Sequence, residues 1–209
     1  MSAGVFEPND KLIGFFISAR LPNLTPVTHW SYRLGVHPDY QNKGVGRTLK
    51  SVQKQVLIAV GVHNVQWSFD PLESRNAYFN IEKLGCRIVS YCPDLYQTTT
   101  RYSQCGTDRL VVSWELNREV PNQQPLTIER LRGVPMATEA ALLEHEDRLK
   151  ISVPYQIEQL IDQDEAAARR CRMETRQLFD WAIQQGYHVD RFGVDVSQGS
   201  GYYVIRRNT

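Results

Sequence analysis

The stretch from Leu34 to Lys50, LGVHPDYQNKGVGRTLK, constrains the fold of this chain more than any other. An alternating apolar segment, residues 29–36, leads through Pro38 into the glycine-bearing loop Gln41–Gly46, and an amphipathic helix begins directly after that loop. The predicted order is therefore strand, glycine loop and helix N-terminus. Because the first amides of a helix have no intrahelical partner and lie at the positive end of its dipole, this order predicts a binding site for an anionic ligand.

Glycine allows the backbone of this loop to approach a ligand closely. Gly44 and Gly46 permit positive φ angles, so that successive N–H groups can converge on one phosphate oxygen, and Lys43 and Arg47 add charged donors. The loop has no GKS or GKT run and no third glycine at the dinucleotide-binding spacing, which excludes both of those nucleotide motifs. On glycine spacing alone, a helix start without a ligand explains the loop as well as an anion site does.

Composition narrows the class of protein. The 209 residues suffice for one large domain or one and a half small ones, and a net charge of +1 gives no electrostatic reason to expect nucleic acid or an anionic membrane as a partner. No apolar run approaches the roughly 20 residues of a membrane helix, and the N-terminus does not resemble a signal peptide. The four cysteines are scattered without metal-ligand spacing, which predicts reduced thiols in a cytoplasmic protein and no metal site; a Cys92–Cys105 disulfide is the alternative.

Periodicity predicts a βαβ unit over residues 29–69, with its two strands as parallel neighbours, preceded by a hairpin over residues 2–17. The helix of this unit, Val45–Val60, ends at Gly61 and carries an apolar stripe that excludes Lys50, Gln53 and Lys54. The predicted stripe consists of Val45, Leu49, Val52, Val56, Ala59 and Val60.

The remaining chain alternates between helices and strands, so we expect an α/β fold with a mixed sheet. It divides into a core over residues 1–118, a linker and helix over 119–150, and a smaller C-terminal α/β unit over 151–209. The predicted elements after residue 69 are a helix at Ser74–Leu84, strands at 86–91 and 108–116, a helix at Ala137–Arg148, a strand at 151–153, a longer helix capped by Asp164, and a hairpin over 187–206.

These residues resemble the GNAT superfamily of acyl-CoA-dependent N-acetyltransferases. LGVHPDYQNKGVGRTLK is similar to the acyl-CoA-binding segment of that superfamily, Gln/Arg-x-x-Gly-x-Gly/Ala after a strand and a proline. WSFDPLESRNAYFNIEKLG and DRLVVSWEL resemble a branch with a C-terminal extension. The resemblance covers residues 5–116 well and 150–206 loosely. It implies a GNAT-like acyltransferase fold and transfer of an acetyl group from acetyl-CoA, as co-substrate, to an amine that stays unassigned.

The resemblance also implies a set of CoA-binding residues. The end of the first parallel strand would splay from its neighbour and offer backbone groups to the pantetheine arm, while the loop amides would hold the pyrophosphate. Asn76 and Asn80 would lie on the other side of the pantetheine, although a helix first turn explains Asn76, and a solvated helix face explains Asn80 better. The implied residues are Leu34, Gly35, Val36, Gln41, Asn42, Lys43, Gly44, Val45, Gly46, Arg47, Asn76 and Asn80.

Acyl transfer to an amine needs a base and a proton source for the departing thiolate. Asp70 and Glu73 follow the second parallel strand, where a base would face the cleft; a turn and a helix first turn explain them at least as well. Many members of the superfamily place a tyrosine four residues before the glycine that ends this helix, and here that position is Ile81. Tyr78, one turn away, is the candidate proton source, with core packing as the alternative.

The isoleucine at position 81 and a second departure from the superfamily pattern, at the start of the fold, motivate other hypotheses. The fold normally begins with a strand and two helices that shape the acceptor cleft, and this chain is expected to begin at the strand after them. A non-catalytic CoA-binding or interaction module is therefore the alternative function, and a homodimer in which residues 150–206 complete the cleft is a further hypothesis. The long polar loop Cys92–Thr107 holds Tyr96 and Tyr102, which would reach towards the site.

Overall fold

The computed structural model describes residues 1–96, 105–119, 124 and 126–207. These residues form a mixed α/β fold in which helices and strands alternate. The strands are β1 (Ser2–Phe6), β2 (Leu12–Arg20), β3 (Thr28–Val36), β4 (Asn64–Phe69), β5 (Arg87–Cys92), β6 (Arg109–Glu115), β7 (Arg148–Pro154), β8 (Tyr187–Asp195) and β9 (Ser200–Arg207). The helices are α1 (Val45–Ala59), α2 (Ser74–Tyr78), α3 (Ile128–Arg132), α4 (Glu139–Leu143), α5 (Ile157–Gln163) and α6 (Glu165–Gln184).

The strands form two sheets. A six-stranded sheet has the order β1-β2-β3-β4-β6-β5, and a three-stranded sheet has the order β7-β9-β8. In the larger sheet β1–β2 and β2–β3 are antiparallel whereas β3–β4 is parallel, which confirms the predicted hairpin and the predicted βαβ unit. The smaller sheet is antiparallel throughout and includes the predicted closing hairpin.

The chain divides into two compact units. The first consists of Met1–Trp67 and Ser113–Glu119, and the second of Ser68–Val112 and Val120–Thr209. The predicted parts 1–118, 119–150 and 151–209 do not coincide with these units, since the C-terminal elements group with residues that follow Trp67. That three-part division stays a prediction about domain organisation.

Helix α1 of the first unit buries a different stripe from the predicted one. Val56 and Val60 are 42% and 63% exposed, whereas two polar residues of this helix are buried. The prediction that Lys50 and Gln53 lie outside the buried stripe was therefore wrong. The buried residues of α1 are Leu49, Lys50, Gln53 and Leu57.

Side-chain partners explain why polar residues are buried on α1. The Lys50 ammonium lies 3.6 Å from the centroid of the Trp67 ring and 5.8 Å from that of Trp114. It also donates a hydrogen bond of 3.0 Å to Gln53 Oε1, and Gln53 Nε2 donates to Ser31 Oγ at 3.4 Å. A buried charge or amide is tolerated where such contacts replace water, so these partners offset the cost of burying Lys50 and Gln53.

In the second unit, the predicted helix Ala137–Arg148 was wrong. Helix α4 is only five residues long, and Arg148 already begins β7. The preceding segment runs beside that strand, because Ala137 N–H donates to the Lys150 carbonyl at 2.8 Å and Lys150 N–H donates to that of Pro135 at 2.9 Å. The predicted cap of α6 is confirmed, since Asp164 Oδ1 accepts a hydrogen bond of 2.8 Å from Ala167 N–H.

Two arginines one helical turn apart anchor α6 within this unit. The buried Arg172 donates to both carboxylate oxygens of Asp70 at 2.6 and 2.7 Å, directly after β4. Arg176 Nε donates to the fully buried Asp108 at 3.0 Å, directly before β6. Burial alone raises the pKa of Asp108, but hydrogen bonds from Arg176 and Tyr91 outweigh it and hold that pKa below its usual range.

None of the four cysteines forms a disulfide, and Cys86 and Cys105 are buried. No group of three or more metal-ligating side chains occurs in the part of the chain that the structure describes. Within the same residues, every helix is too short or too polar to cross a membrane.

Replacing Arg172 by methionine should lower the free energy of unfolding by about 2–4 kcal/mol, because the Asp70 carboxylate loses its bidentate partner. Arg169→Met is the matched control on the same helix, since it breaks only an exposed pair with Glu165 and should cost less than about 1 kcal/mol. Urea unfolding at pH 7 measures both. Equal losses in the two variants would contradict the anchoring role of Arg172.

Candidate functional site

One edge of β3 is open at its C-terminal end. The parallel ladder pairs Thr28–Trp30 with Asn64–Gln66 and, among the described residues, ends there. On the other side β2 stays paired as far as Val36, with a register shift that leaves Tyr32 as an extra residue. Such a bulge increases the local twist of a strand, and nothing in the sequence indicated it. The backbone of Leu34–Val36 therefore lies beyond the end of the ladder, as the predicted splay requires.

Tyr40 holds the loop that follows β3. Its hydroxyl donates to the Glu7 carboxylate in the turn between β1 and β2. The ammonium groups of Lys11 and Lys43 lie 5.4 and 5.3 Å from the centroid of its ring. His37, at the start of the loop, accepts a hydrogen bond from Asp39 N–H, which makes it a turn residue. Sequence reasoning missed Tyr40, although an aromatic residue beside this loop was a visible signal.

The loop ends in a helix start whose amides are available. Asn42 and Gly44 have φ angles of 60° and 85°, which turn the backbone into α1. The first hydrogen bond of the helix runs from Thr48 N–H to the Gly44 carbonyl at 3.0 Å, and no described side chain caps this end. The N–H groups of Val45–Arg47 thus precede the helical hydrogen bonds and can receive an anion. The side chains of Lys43 and Arg47 are exposed beside them.

The strand end and the helix start pack on each other within the first unit. Gln41 Nε2 donates to the Val36 carbonyl at 3.3 Å. A Cβ atom on Gly46 would lie 3.9 Å from the side chains of Leu34 and Val36, an ordinary packing distance. The structure therefore brings together the strand and loop residues that the resemblance implied.

Asp70, in the second unit, is already fully engaged. Besides Arg172, its carboxylate accepts Leu72 N–H at 2.8 Å and lies 3.5 Å from Arg109 Nη1. A base must be accessible to the proton it receives, and each oxygen of this carboxylate already accepts a hydrogen bond from Arg172. The structure therefore favours a structural role for Asp70 over the predicted catalytic one.

Glu73 has the environment of a base. It is half-buried at the start of α2, and burial, the negative charge of Asp70 and that of Glu158 raise its pKa to about 7. The positive charges of Arg75 and Arg172 offset this only in part. A carboxyl that titrates near neutral pH matches the requirement for general base catalysis. Sequence reasoning missed Glu158, which lies on a helix that was not predicted.

Helix α2 widens after Tyr78. Residues Phe79–Lys83 form a π-helical turn, in which Leu84 N–H donates to the Phe79 carbonyl at 3.0 Å. Such turns occur frequently at functional sites. Tyr78 is half-buried, with the Lys83 ammonium 5.1 Å from the centroid of its ring. Its hydroxyl stays a candidate proton source.

The two asparagines of this segment differ in environment. Asn76 is exposed, whereas Asn80 is 4% exposed. The prediction that Asn80 lies on a solvated helix face was wrong, because it follows Ala77 by three residues and precedes Leu84 by four, and both of these are buried.

The long loop after β5 is only partly described. Tyr96 shares a hydrogen bond of 2.9 Å with Ser68 Oγ, and the Arg109 guanidinium lies 5.2 Å from the centroid of its ring. These contacts hold Tyr96 beside the end of β4 and the start of β6. Tyr102 lies outside the described residues.

A family model described as "Acetyltransferase (GNAT) family" matches residues 2–85 of the sequence. Residues 2–85 belong to the GNAT acetyltransferase family. This GNAT segment contains every CoA-binding and catalytic candidate, whereas Arg172 and Glu158 lie outside it.

Comparisons with other proteins add little to the family match. No curated protein was found to be similar to the chain. The ribosomal-protein-S18-alanine N-acetyltransferase from Escherichia coli is similar in structure, with 18% identity, a TM-score of 0.47, and coverage of 59% of this chain and 74% of its own. An IAA acetyltransferase from Bacillus cereus has 18% identity and a TM-score of 0.44, and the match covers 52% of this chain and 73% of the Bacillus chain. The family assignment therefore rests on the GNAT segment itself.

The raised pKa of Glu73 predicts a pH-dependent stability. The folded protein binds a proton at Glu73 more tightly than the unfolded chain does, so this contribution is present below about pH 4.5 and is lost as the pH rises through about 7. Glu73→Gln should remove this loss of stability with rising pH. Relative to the wild type, its free energy of unfolding should increase by about 1–3 kcal/mol between pH 5 and pH 8.

Urea unfolding at several pH values measures this difference. Glu174→Gln, an exposed change on α6, is the matched control. Its free energy of unfolding, plotted against pH, should run parallel to that of the wild type. A Glu73→Gln curve that also runs parallel would show that Glu73 titrates normally.

Proposed function

We propose that the protein transfers an acetyl group from acetyl-CoA to an amine, with Glu73 as the general base. The observation that carries the proposal is the start of α1 in the GNAT segment. There the amides of Val45–Arg47 precede the helical hydrogen bonds and stand beside the open end of β3. This arrangement supplies donors for a pyrophosphate and backbone groups for an extended chain.

The residues of the first unit fit acetyl-CoA by their chemistry. The helix N-terminus and the side chains of Lys43 and Arg47 offset the charge of the pyrophosphate. The left-handed turn at Gly44 directs the loop amides, and Tyr40 holds the loop in place. The backbone of Leu34–Val36 would bind the pantetheine arm and polarise the acyl carbonyl, because N–H groups aimed at that oxygen stabilise its developing charge.

The residues of the second unit fit the proton transfers. An amine attacks a thioester only as the neutral base, so a proton must leave the ammonium form of the acceptor, and Glu73 is suited to receive it near pH 7. Tyr78 is the proposed donor of a proton to the departing thiolate. Asn76, being exposed, is a better candidate than the buried Asn80 for a contact with the pantetheine.

The proposal includes a cytoplasmic location. The lack of a disulfide among the four cysteines, all of them described residues, supports it, because oxidising compartments favour disulfides. A homodimer through residues 150–206 and the acceptor amine stay open predictions, and neither nucleic acid nor a membrane is invoked as a partner.

Gly44→Val should weaken acetyl-CoA binding at least tenfold, since the strained residue redirects the amides that follow it. Gly61→Val is the matched control at the other end of α1: its φ of 76° is close to the 85° of Gly44, and a Cβ at either glycine meets no atom within 4 Å. Both variants should lose similar stability, and only Gly44→Val should lose affinity. Calorimetric titration with acetyl-CoA measures this, and a folded wild type without saturable binding at millimolar acetyl-CoA would overturn the proposal.

Glu73→Gln should lower kcat by about 10²–10³-fold and leave the Kd for acetyl-CoA within about twofold, because it removes only the base. In the wild type, kcat/KM should rise with pH through about 7. Glu158→Gln keeps the base but removes a neighbouring charge, and should shift that rise to lower pH. Thiol release from acetyl-CoA with a panel of amines measures all three, and binding without turnover would favour the non-catalytic CoA module instead.

A further inference from the structure

A cavity of about 400 Å³ lies within the second unit, between β5, α6, β8 and the end of β9. Its volume falls in the range of small-molecule sites. None of the residues assigned above to acetyl-CoA or to catalysis lines it. The cavity is therefore a second candidate site, and the acetyl transfer gives no account of it.

Aromatic rings form one wall of this cavity. Tyr91 stacks on Phe179 with 5.2 Å between ring centroids. The Tyr91 hydroxyl donates to Asp108, so the polar end of this cavity-lining residue has its hydrogen bond satisfied within the protein. The same holds for Tyr187, whose hydroxyl donates to a backbone carbonyl. This wall is suited to the flat or branched apolar body of a ligand.

Apolar side chains flank the cavity as well. Val89 on β5 and Ile183 on α6 both line it, and they are 51% and 50% exposed. Exposed apolar groups beside a cavity are a common feature of ligand sites, because a bound apolar body removes them from water.

A carboxylate without a partner lies in this apolar setting. Asp180 lines the cavity and is half-buried, and within the described residues it makes neither a hydrogen bond nor an ion pair. Arg176, one turn earlier on α6, is committed to Asp108 and Asp94. The lining also includes the imidazole of His188, which is exposed. A carboxylate that loses water on ligand binding needs a positive group in return.

We propose that this cavity binds a small organic cation that carries an ammonium group on an aromatic or branched aliphatic body. The ammonium group pairs with Asp180, and the body packs against Tyr91, Phe179 and Ile183. A neutral ligand of the same shape would desolvate Asp180 without compensation, so charge decides the specificity of the site. Binding requires no transfer of acetyl groups and stands independently of the proposed function.

Calorimetric titration at pH 7.5 with two probes tests this proposal. The cation is 2-phenylethylammonium, and 2-phenylethanol is its neutral isostere. The wild type should bind the cation at least tenfold more tightly than the alcohol, and Asp180→Asn should reduce this ratio to near one. Glu174→Gln, an exposed change on the same helix outside the cavity, should leave the ratio unchanged.

A second pair of variants locates the binding. Ile183→Trp adds bulk beside the cavity at a half-exposed position and should weaken the affinity for both probes, whereas Met173→Trp, exposed on α6 outside it, should change neither. Thermal unfolding confirms that each variant is folded. Equal affinity of the wild type for the two probes, an unchanged ratio in Asp180→Asn, unchanged binding in Ile183→Trp, or no saturable binding of the cation would each overturn the proposal.

Discussion

A buried guanidinium–carboxylate pair links segments of the second unit that lie far apart in the chain. Arg172 donates two hydrogen bonds to Asp70, a residue 102 positions away in the chain, and a third to the Cys105 carbonyl at 3.2 Å. A buried pair of this kind adds little net stability compared with apolar packing, but the planar fork of the arginine matches a carboxylate in few orientations. The pair therefore holds the negative charge of Asp70 in place, and that charge contributes to the raised pKa of Glu73.

The first unit depends on a polar contact of another kind. The Lys50 ammonium lies against the Trp67 ring, and α1 is rotated so that Lys50 and Gln53 face inward. With that rotation, Gly46 in the first turn lies beside the side chains of Leu34 and Val36. The rotation of the helix and the placement of its free amides next to the end of β3 are thus parts of one packing arrangement.

Local signals were predicted correctly, and burial was predicted less well. The turn at Gly44, the helix end at Gly61 and the cap at Asp164 depend on backbone angles and on hydrogen bonds over a few residues. The burial of Lys50 and Asn80 was predicted wrongly, because hydropathy does not show which partners or packing neighbours offset the loss of water.

The sequence by itself determined the strand, glycine loop and helix start, the parallel pairing that surrounds them, and membership of residues 2–85 in the GNAT family. These follow from periodicity and from the conformational freedom of glycine, which are properties of neighbouring residues. Only the tertiary structure decided that Asp70 is engaged, that burial and neighbouring charges raise the pKa of Glu73 to about 7, and that Asp180 lines a cavity with no hydrogen-bond or ion-pair partner among the described residues. The charge state and the availability of a side chain depend on groups that distant segments bring near it, and packing sets those distances.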